Sequence, residues 1–399
     1  MDDPRSHQPV WPEIRRLVPA LYLPVLAVTG GMTIALPLVP LYLEDRGVGL
    51  TMVGFIMGAT GVGAALAGVP ASAFAERFGN DRLLFVAIVL AAVGLCSFGF
   101  TEAAFVLLLL RLVSGVGLGA LGQSRQLFIA RGVPLHFRGR VTSAMGGTHR
   151  LALAVGPVLG GIVAGSWGFA PAFVVAGGTA AVGLWFWVIP EGRERFGPGA
   201  VPDRVGVFAA LRRHRRLVLT GGFGPLLIQA GREGRYVVIP LIADRLGLSI
   251  AEIGGLLAIG TVVDFVVFPL SGVLMDRLGR LYAIVPAFTV MACGMVLLGL
   301  AEGVAGVAAA SVLIGLGNGV TSGAVLTLGA DLAPEGEQGP YLAGFNLVSN
   351  MGLFVGPFVV GMVADLAGLG AAAFALGAIL VAGVGWIALV VGETRQARG

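Results

Sequence analysis

The sequence contains no lysine; its 26 basic residues are all arginine. That absence excludes a P-loop nucleotide site, whose lysine reaches the phosphates, and any Schiff-base lysine. Charge of either sign is scarce, at 12% of residues against about 25% in soluble domains. Hydrophobic residues make up 56% of the chain and the mean hydropathy is +0.91. A soluble fold of 399 residues with that composition would lack polar cover for its surface. A bilayer removes the problem, because lipid-facing surface is apolar. Cysteine is nearly absent as well. Cys96 and Cys293 lie inside apolar runs, without metal-ligand spacing, and read as packing residues. There is no zinc spacing and no nucleophile elbow, and Gly-x-Gly-x-Gly at 115–119 falls within an apolar run rather than after a strand. No enzymatic activity, cofactor or metal is therefore expected. The net charge of +4 invites a nucleic-acid reading, but most arginines sit in short gaps between apolar runs, where they act as membrane topology signals. No nucleic-acid partner is expected; the lipid bilayer is.

What is abundant is long apolar sequence. Runs fall at 18–43, 51–74, 83–101, 104–130, 141–164, 170–190, 217–243, 250–274, 281–302, 304–330, 341–365 and 370–391. A spanning helix needs roughly 20 apolar residues, and backbone in lipid must satisfy its own hydrogen bonds, so these runs are helices rather than strands. The first run exceeds a signal-peptide core and shows no cleavage site, so it reads as a retained helix. The chain is thus predicted to be an all-α membrane protein with twelve transmembrane helices. The longest polar stretch, 191–216, carries seven arginines with Pro198 and Pro202. It divides the chain into a six-helix bundle at 1–190, a linker, and a second six-helix bundle at 217–399.

Arginine placement predicts orientation. With the N-terminus inside, nineteen arginines fall in inside segments and only Arg46 and Arg245 outside. Both termini and the linker are expected to be cytoplasmic, in a plasma (inner) membrane. The two halves also repeat at an offset of 200 residues. Gly47, Gly54, Gly79, Gly115, Gly117, Gly119, Gly139, Gly156 and Gly161 each meet a glycine there; Pro40, Pro134 and Pro157 each meet a proline; Glu102 meets Glu302, Arg77 meets Arg277, and Glu76 meets Asp276. Parallel repeats of six helices place a binding site between them near the midplane.

Three motifs point the same way. Gly272-Val-Leu-Met-Asp276-Arg277-Leu-Gly279-Arg280 matches the signature loop of the major facilitator superfamily. Its first-half copy keeps Glu76, Arg77 and Gly79 but has Ser72 and Asn80 in place of the first glycine and the last arginine. A carboxylate in such a turn can accept from a neighbouring helix N-terminus, and an adjacent arginine can reach an opposing acid. Gly156-Pro157-Val-Leu-Gly160-Gly161 resembles the motif of the superfamily's proton-coupled drug antiporters, with Ala152 where the family has glycine, and Gly356-Pro357 repeats it. Small residues allow close helix approach, and proline removes a helical hydrogen bond. Arg111-Leu-Val-Ser114-Gly115 resembles a third family element, with Ser114 in place of the usual glutamine. The resemblance spans residues 17–391 and implies two bundles that rock about a central site, moving a small-molecule substrate in exchange for protons, as a monomer.

The candidate site follows from charges deep in apolar runs, which are costly and usually functional. Arg111, Ser114, Gly115, Gly122 and Arg125 share one helix face, expected to line a polar cavity together with Gln123. Arg125 is near enough to the inside to snorkel. Glu233, with Gln229, Tyr236, Arg232 and Arg235, lies in the seventh helix, and Asp264 in the eighth. Low dielectric disfavours a carboxylate's charged form and a neighbouring arginine favours it, an opposition suited to a proton switch. A fixed pair of Glu233 with Arg232 or Arg235 is the plainer alternative. His149 and Arg150, in the fifth helix, are weaker candidates. Five deep arginines face two deep acids, and the first helix has none. The resemblance therefore leaves two transport readings, drug export and organic-anion or metabolite carriage, beside a receptor without flux.

Overall fold

The computed structural model describes residues 21–133, 135–187, 212–321, 323–334 and 336–394. Most of the linker, 191–211, lies outside them, as do Arg5, Arg15, Arg16, Arg395 and Arg398 of the topology count. The described chain is all-α, and its spans follow the apolar runs: α1 Leu23–Asp45, α2 Leu50–Phe78, α3 Asn80–Phe100, α4 Ala104–Gly132, α5 Leu135–Trp167, α6 Phe169–Trp185, α7 Arg215–Arg245, α8 Ile250–Arg277, α9 Arg280–Gly299, α10 Val304–Asp331, α11 Tyr341–Ala367 and α12 Leu369–Val391. Ten have the length and hydropathy of a membrane span, and α6 is shorter but apolar. The remaining helix, α7, is 31 residues long; it is set apart by the charges at 232, 233 and 235 in its middle. Outward faces carry large apolar side chains such as Phe100 and Leu389, 72% and 88% exposed, as contact with lipid requires.

Helix starts differ from the run boundaries where polar residues extend a helix beyond lipid. α7 begins at Arg215, inside the stretch read as linker, because Arg215 and Arg216 are good helix formers. At that end Arg213 and His214 both bond Glu337, at 2.9 and 2.5 Å, tying the start of α7 to the loop before α11. The 200-residue repeat is visible in the backbone. Gly79 and Gly279 take φ of 92° and 113°, and Gly47 and Gly247 take 69° and 78°. These positive angles admit glycine and few other residues, which explains those pairs.

Packing repeats with the sequence. In the first half α1 packs on α5 and α6, α2 on α4, and α3 on α4 and α6; in the second, α7 packs on α11 and α12, α8 on α10, and α9 on α10 and α12. The two groups meet through α2 with α11 and α5 with α8. Here the offset becomes a pseudo-two-fold axis. A Cβ added at Gly54 would lie 2.3 Å from the Pro357 carbonyl oxygen, and one at Gly254 would lie 2.2 Å from that of Pro157. Gly161 meets Ile250 at 2.6 Å and Gly361 meets Leu50 at 2.1 Å in the same way. Backbone therefore touches backbone across the interface, in the half of the molecule that holds the turns at Gly47 and Gly247.

Four further bonds close that end. Asp365 of α11 accepts from the Leu50 and Thr51 amides at 3.0 and 2.7 Å and from the Thr51 hydroxyl at 2.5 Å, capping α2 from the opposite group. Glu44 and Arg245 pair at 3.5 Å. The symmetry-related start of α8 is capped internally, by Ser249 and Glu252 in a capping box. Toward the Gly79 and Gly279 end the contrast is plain. His149 and Thr142 are exposed on one face of α5, and a Cβ at Gly122 or Gly147 would meet nothing within 4 Å. The space between the groups opens toward this end.

Candidate functional site

The deepest acid, Asp264, is 3% exposed in the middle of α8. Its two oxygens look in two directions. Oδ2 accepts from Asn318 Nδ2 of α10 at 2.6 Å, and Oδ1 accepts from Arg150 Nε of α5 at 3.5 Å. Asp264 is thus shared between a neighbour in its own group and a cation of the other. Arg150 also donates to the Gly146 carbonyl at 3.3 Å and stacks over the Phe268 ring at 4.1 Å. The sequence reading made Arg150 a weaker candidate; the packing of α5 on α8 brings it to Asp264.

The charges of α7 are arranged differently from either expectation. Arg232 donates to Gln229 Oε1 at 3.2 Å and to the carbonyl and hydroxyl of Thr321 at 3.2 and 3.1 Å, and lies over the Phe288 ring. The Thr321 carbonyl can face Arg232 because α10 breaks there: helix stops at Val320 and resumes at Ala324, whose amide the same carbonyl accepts at 3.0 Å, with Gly323 at φ 82°. Broken helices with free carbonyls at membrane depth occur where backbone lines a site. Arg235 donates to the Tyr236 hydroxyl at 2.6 Å, and Tyr236 itself is 8% exposed. Glu233 is half-buried and forms no ion pair with Arg232, Arg235 or any other described residue. The fixed pair considered from sequence is therefore not formed.

On α4 the shared face does not line a cavity along its length. Arg111 and Ser114 are 4% and 1% exposed, and a Cβ at Gly115 or Gly119 would lie 2.3 or 2.4 Å from carbonyl oxygens of α2. This half of the face is packed against α2, because its small residues let the two backbones close up. Ser114 donates only to the Arg111 carbonyl, and Gln123 is engaged with the Gly68 carbonyl and Ser72 at 3.1 and 3.2 Å. Neither is a free lining group. The face opens only at Gly122 and the half-buried Arg125. Among the described residues Arg111 has a single hydrogen-bond partner, the Met57 sulfur at 3.7 Å, and its Nε is buried without one.

The two signature-loop turns hold neighbouring helix ends together. Arg280 donates to Asp276 at 3.0 Å, to the Met275 carbonyl at 2.9 Å and to Asp331 at 3.0 Å. The start of α9 is capped by Glu393, which accepts from the Arg280 and Leu281 amides at 2.9 Å each. A cap from the turn's own carboxylate was expected there, and among the bonds of this turn it is Arg280 that reaches the opposing Asp331. In the first half Asn80 turns inward and donates to the Ser124 carbonyl at 3.3 Å, so the departure seen in sequence replaces an ionic clasp with a neutral one. Glu76 and Arg77 lie in the same turn. The Gly-Pro motifs are packing sites: a Cβ at Gly156 would lie 2.1 Å from Thr33 Oγ1, at Gly160 2.2 Å from the Ile34 carbonyl, and at Gly356 2.0 Å from the Ala230 carbonyl.

Asn318, Thr321, Phe268, Phe288 and Asp365 escaped the sequence reading. Asn318 left one signal, a lone amide between Gly317 and Gly319 in an apolar run. Its link to Asp264 depends on which helices pack.

Comparison with protein families matches residues 21–357 and 226–398 to the Major Facilitator Superfamily. Among curated proteins, an uncharacterised MFS-type transporter of Methanocaldococcus jannaschii is 20% identical over 346 residues, 85% of this chain and 89% of that protein. The multidrug resistance protein MdtG of Proteus mirabilis is 26% identical over 263 residues, 62% of this chain and 64% of its own length. Among solved structures, a bacterial homolog of the human lysosomal transporter Spinster, in an inward-facing and occupied conformation, aligns with a TM-score of 0.75 at 15% identity, covering 98% of this chain and 100% of that one.

Proposed function

The chain belongs to the major facilitator superfamily and is a multi-pass membrane transporter, and we propose that it is a proton-coupled exporter of a small organic, drug-like compound working by alternating access. The observation that carries the coupling is the position of Asp264: 3% exposed, in the middle of a span, and held across the two groups by Arg150 and within one by Asn318. A group that changes charge there changes what holds the bundles together. Similarity to a multidrug resistance protein supports export of drug-like compounds. In this reading 1–190 and 217–399 move as two bundles joined by 191–216. The open end faces the cytoplasm, as do both termini, in a plasma (inner) membrane.

Orientation is checked by cysteine labelling with an impermeant reagent on intact cells. Glu44→Cys is expected to label and Glu194→Cys to stay unlabelled; the reverse pattern sinks the topology. Coupling is checked in vesicles, with a compound first identified from growth of expressing cells against a drug panel. Asp264→Asn or Glu233→Gln, whichever removes the coupling acid, is expected to stop proton-driven flux while leaving exchange of the compound down its own gradient. Asp264 is the favoured carrier. Unchanged proton-driven flux in both single variants and the double variant would move coupling elsewhere, with His149 the next candidate, or make the protein a uniporter.

One arrangement favours a second reading, carriage of an organic anion or metabolite. Arg150 is matched by Asp264, whereas Arg232 and Arg235 rest on neutral acceptors and Arg111 on a sulfur. Uncompensated cations prefer an anionic cargo. A panel containing both organic cations and organic anions separates the two.

A further inference from the structure

Asp264 has two partners that differ in which charge state of the acid they can hold. The Arg150 guanidinium has only donors, so it holds Asp264 most strongly while the carboxyl is ionised, and a protonated acid whose two oxygens both turn to Asn318 leaves it. Asn318 carries both a donor and an acceptor. Its Nδ2 donates to Asp264 Oδ2 at 2.6 Å, but its Oδ1 is buried with no hydrogen-bond partner among the described residues. A buried acceptor without a donor is a standing cost, and an ionised carboxylate, which is acceptor-only, cannot relieve it. A protonated one can. A carboxylic acid facing a primary amide forms a cyclic pair, with O–H donating to the amide oxygen and the amide N–H donating to the acid's carbonyl.

We propose that a proton taken up by Asp264 from the space between the bundles closes this cyclic pair with Asn318 inside one bundle and releases Arg150 of the other. Asn318 is then the positioning residue that retains the loaded acid, and the Arg150–Asp264 bond is a tether between bundles that exists only in the unloaded state. The proton adds to an Asp264 oxygen, the new O–H points at Asn318 Oδ1, and no other bond to hydrogen breaks. Released Arg150 keeps the Gly146 carbonyl and the Phe268 face, so it is not stranded. The proposal deepens the reading of Asp264 as the coupling acid and rests on it.

The surroundings are consistent with a single switch. From α5 Asp264 feels His149 and Arg150, and from α7 it feels Arg232, Arg235 and Tyr236. Glu233 acts on the same α7 arginines, and Arg125 of α4 acts on His149. From α10 it meets the neutral Asn318. On α9 the titratable residues are Arg280 and Tyr282 at its start and the exposed Cys293. Across the repeat, the positions of Asp264, Asn318 and Arg150 hold Ala64, Leu118 and Asn350, so the device is built once.

The test uses the purified full chain in nanodiscs without substrate. Spin labels at Phe78→Cys and Leu278→Cys, with Cys96 and Cys293 replaced by alanine, report the separation of the two bundles at the open end. Wild type is expected to shift its distance distribution on acidification. Asp264→Asn and Arg150→Met are each expected to show the acidic distribution at neutral pH and no pH response. In infrared difference spectra, the acid carbonyl band lost in Asp264→Asn is expected to move to higher frequency in Asn318→Leu, because the cyclic pair is gone. An unshifted band, or a wild-type pH response retained by Arg150→Met, overturns the proposal. So does a pH response that survives in Asp264→Asn and disappears in His149→Gln. If Asn318→Leu does not fold, the Arg150→Met distances decide. Loss of proton-driven flux in Asp264→Asn combined with an unshifted band removes this proposal and leaves the coupling reading intact; unchanged flux in that variant removes the coupling reading itself.

Discussion

Flux by Arg111→Ala is expected to fall to the level of empty proteoliposomes, and Arg111→Lys to restore only part of it. The structure supplies the reason in what Arg111 lacks. The side chain is 4% exposed, its guanidinium reaches the Met57 sulfur at 3.7 Å, and no carboxylate lies within ion-pair distance among the described residues. Removing a charge from water costs several kcal/mol, and an unpaired one recovers little of it. A helix that needed only packing at this position would carry leucine or methionine. We propose that the arginine is kept for an anion that it meets in another conformation, either a coupling carboxylate or the cargo. Lysine lacks the planar fork that holds such a partner through two bonds. The same argument gives a companion expectation: Arg111→Ala should unfold at no lower temperature than wild type, because the change deletes a buried charge with no ion-pair partner among the described residues. A variant that inserts, folds and transports normally would refute the functional role, and one that is destabilised and inactive together would make Arg111 structural.

Leucine at Gly54 or Gly254 is expected to arrest the cycle, leaving compound binding near wild type while turnover is lost. At these positions an added Cβ would lie 2.3 and 2.2 Å from carbonyl oxygens of the opposite group, and neither backbone can yield without parting the bundles. Overpacking of this kind costs about 1–3 kcal/mol or more, a roughly 5- to 150-fold shift away from the state closed at this end. Asp365→Ala acts on the same interface with smaller effect. It removes the cap that α11 places on α2, of the type worth about 1 kcal/mol, and should make the closed end more accessible to cysteine reagents without abolishing flux. Gly156→Leu separates interface from interior. Its Cβ would strike Thr33 of its own bundle at 2.1 Å, so poor expression with equal loss of binding and flux is expected there. Normal turnover in Gly54→Leu and Gly254→Leu would mean that this contact is not remade during transport.

Much of the architecture was legible in the sequence because lipid enforces it. A run of apolar residues in a bilayer has one way to satisfy its backbone, so twelve runs gave twelve helices. The offset of 200 residues was readable as paired glycines, prolines and charges, and each kind of pair has a local cause. Gly79 and Gly279 hold positive φ, and Gly54 and Gly254 allow backbone contact across the interface. The deep charges were also visible, since a lone arginine or acid in an apolar run is conspicuous. What they do in pairs was not. Asp264 joins residues 114 positions before it and 54 after it, and helical periodicity says only which face a residue occupies.

The scaffold and the site therefore differ in what determined them. Repeated small residues and turn glycines act within or between adjacent turns, so sequence alone determined the helices, their repeat and the pairs of residues that shape it. Partner choice depends on which faces meet after twelve helices pack. The tertiary structure alone decided that Arg150 rather than Arg232 or Arg235 holds Asp264, that Glu233 stays without an ion pair, that Arg111 is buried against α2, and that the break in α10 offers its Thr321 carbonyl to Arg232. The repeat makes the frame symmetric, whereas Asp264, Asn318, Arg150 and Arg232 have no like residue 200 positions away. A side-chain bond extends only about 3 Å, so no pattern along the chain encodes it until packing brings its two ends together.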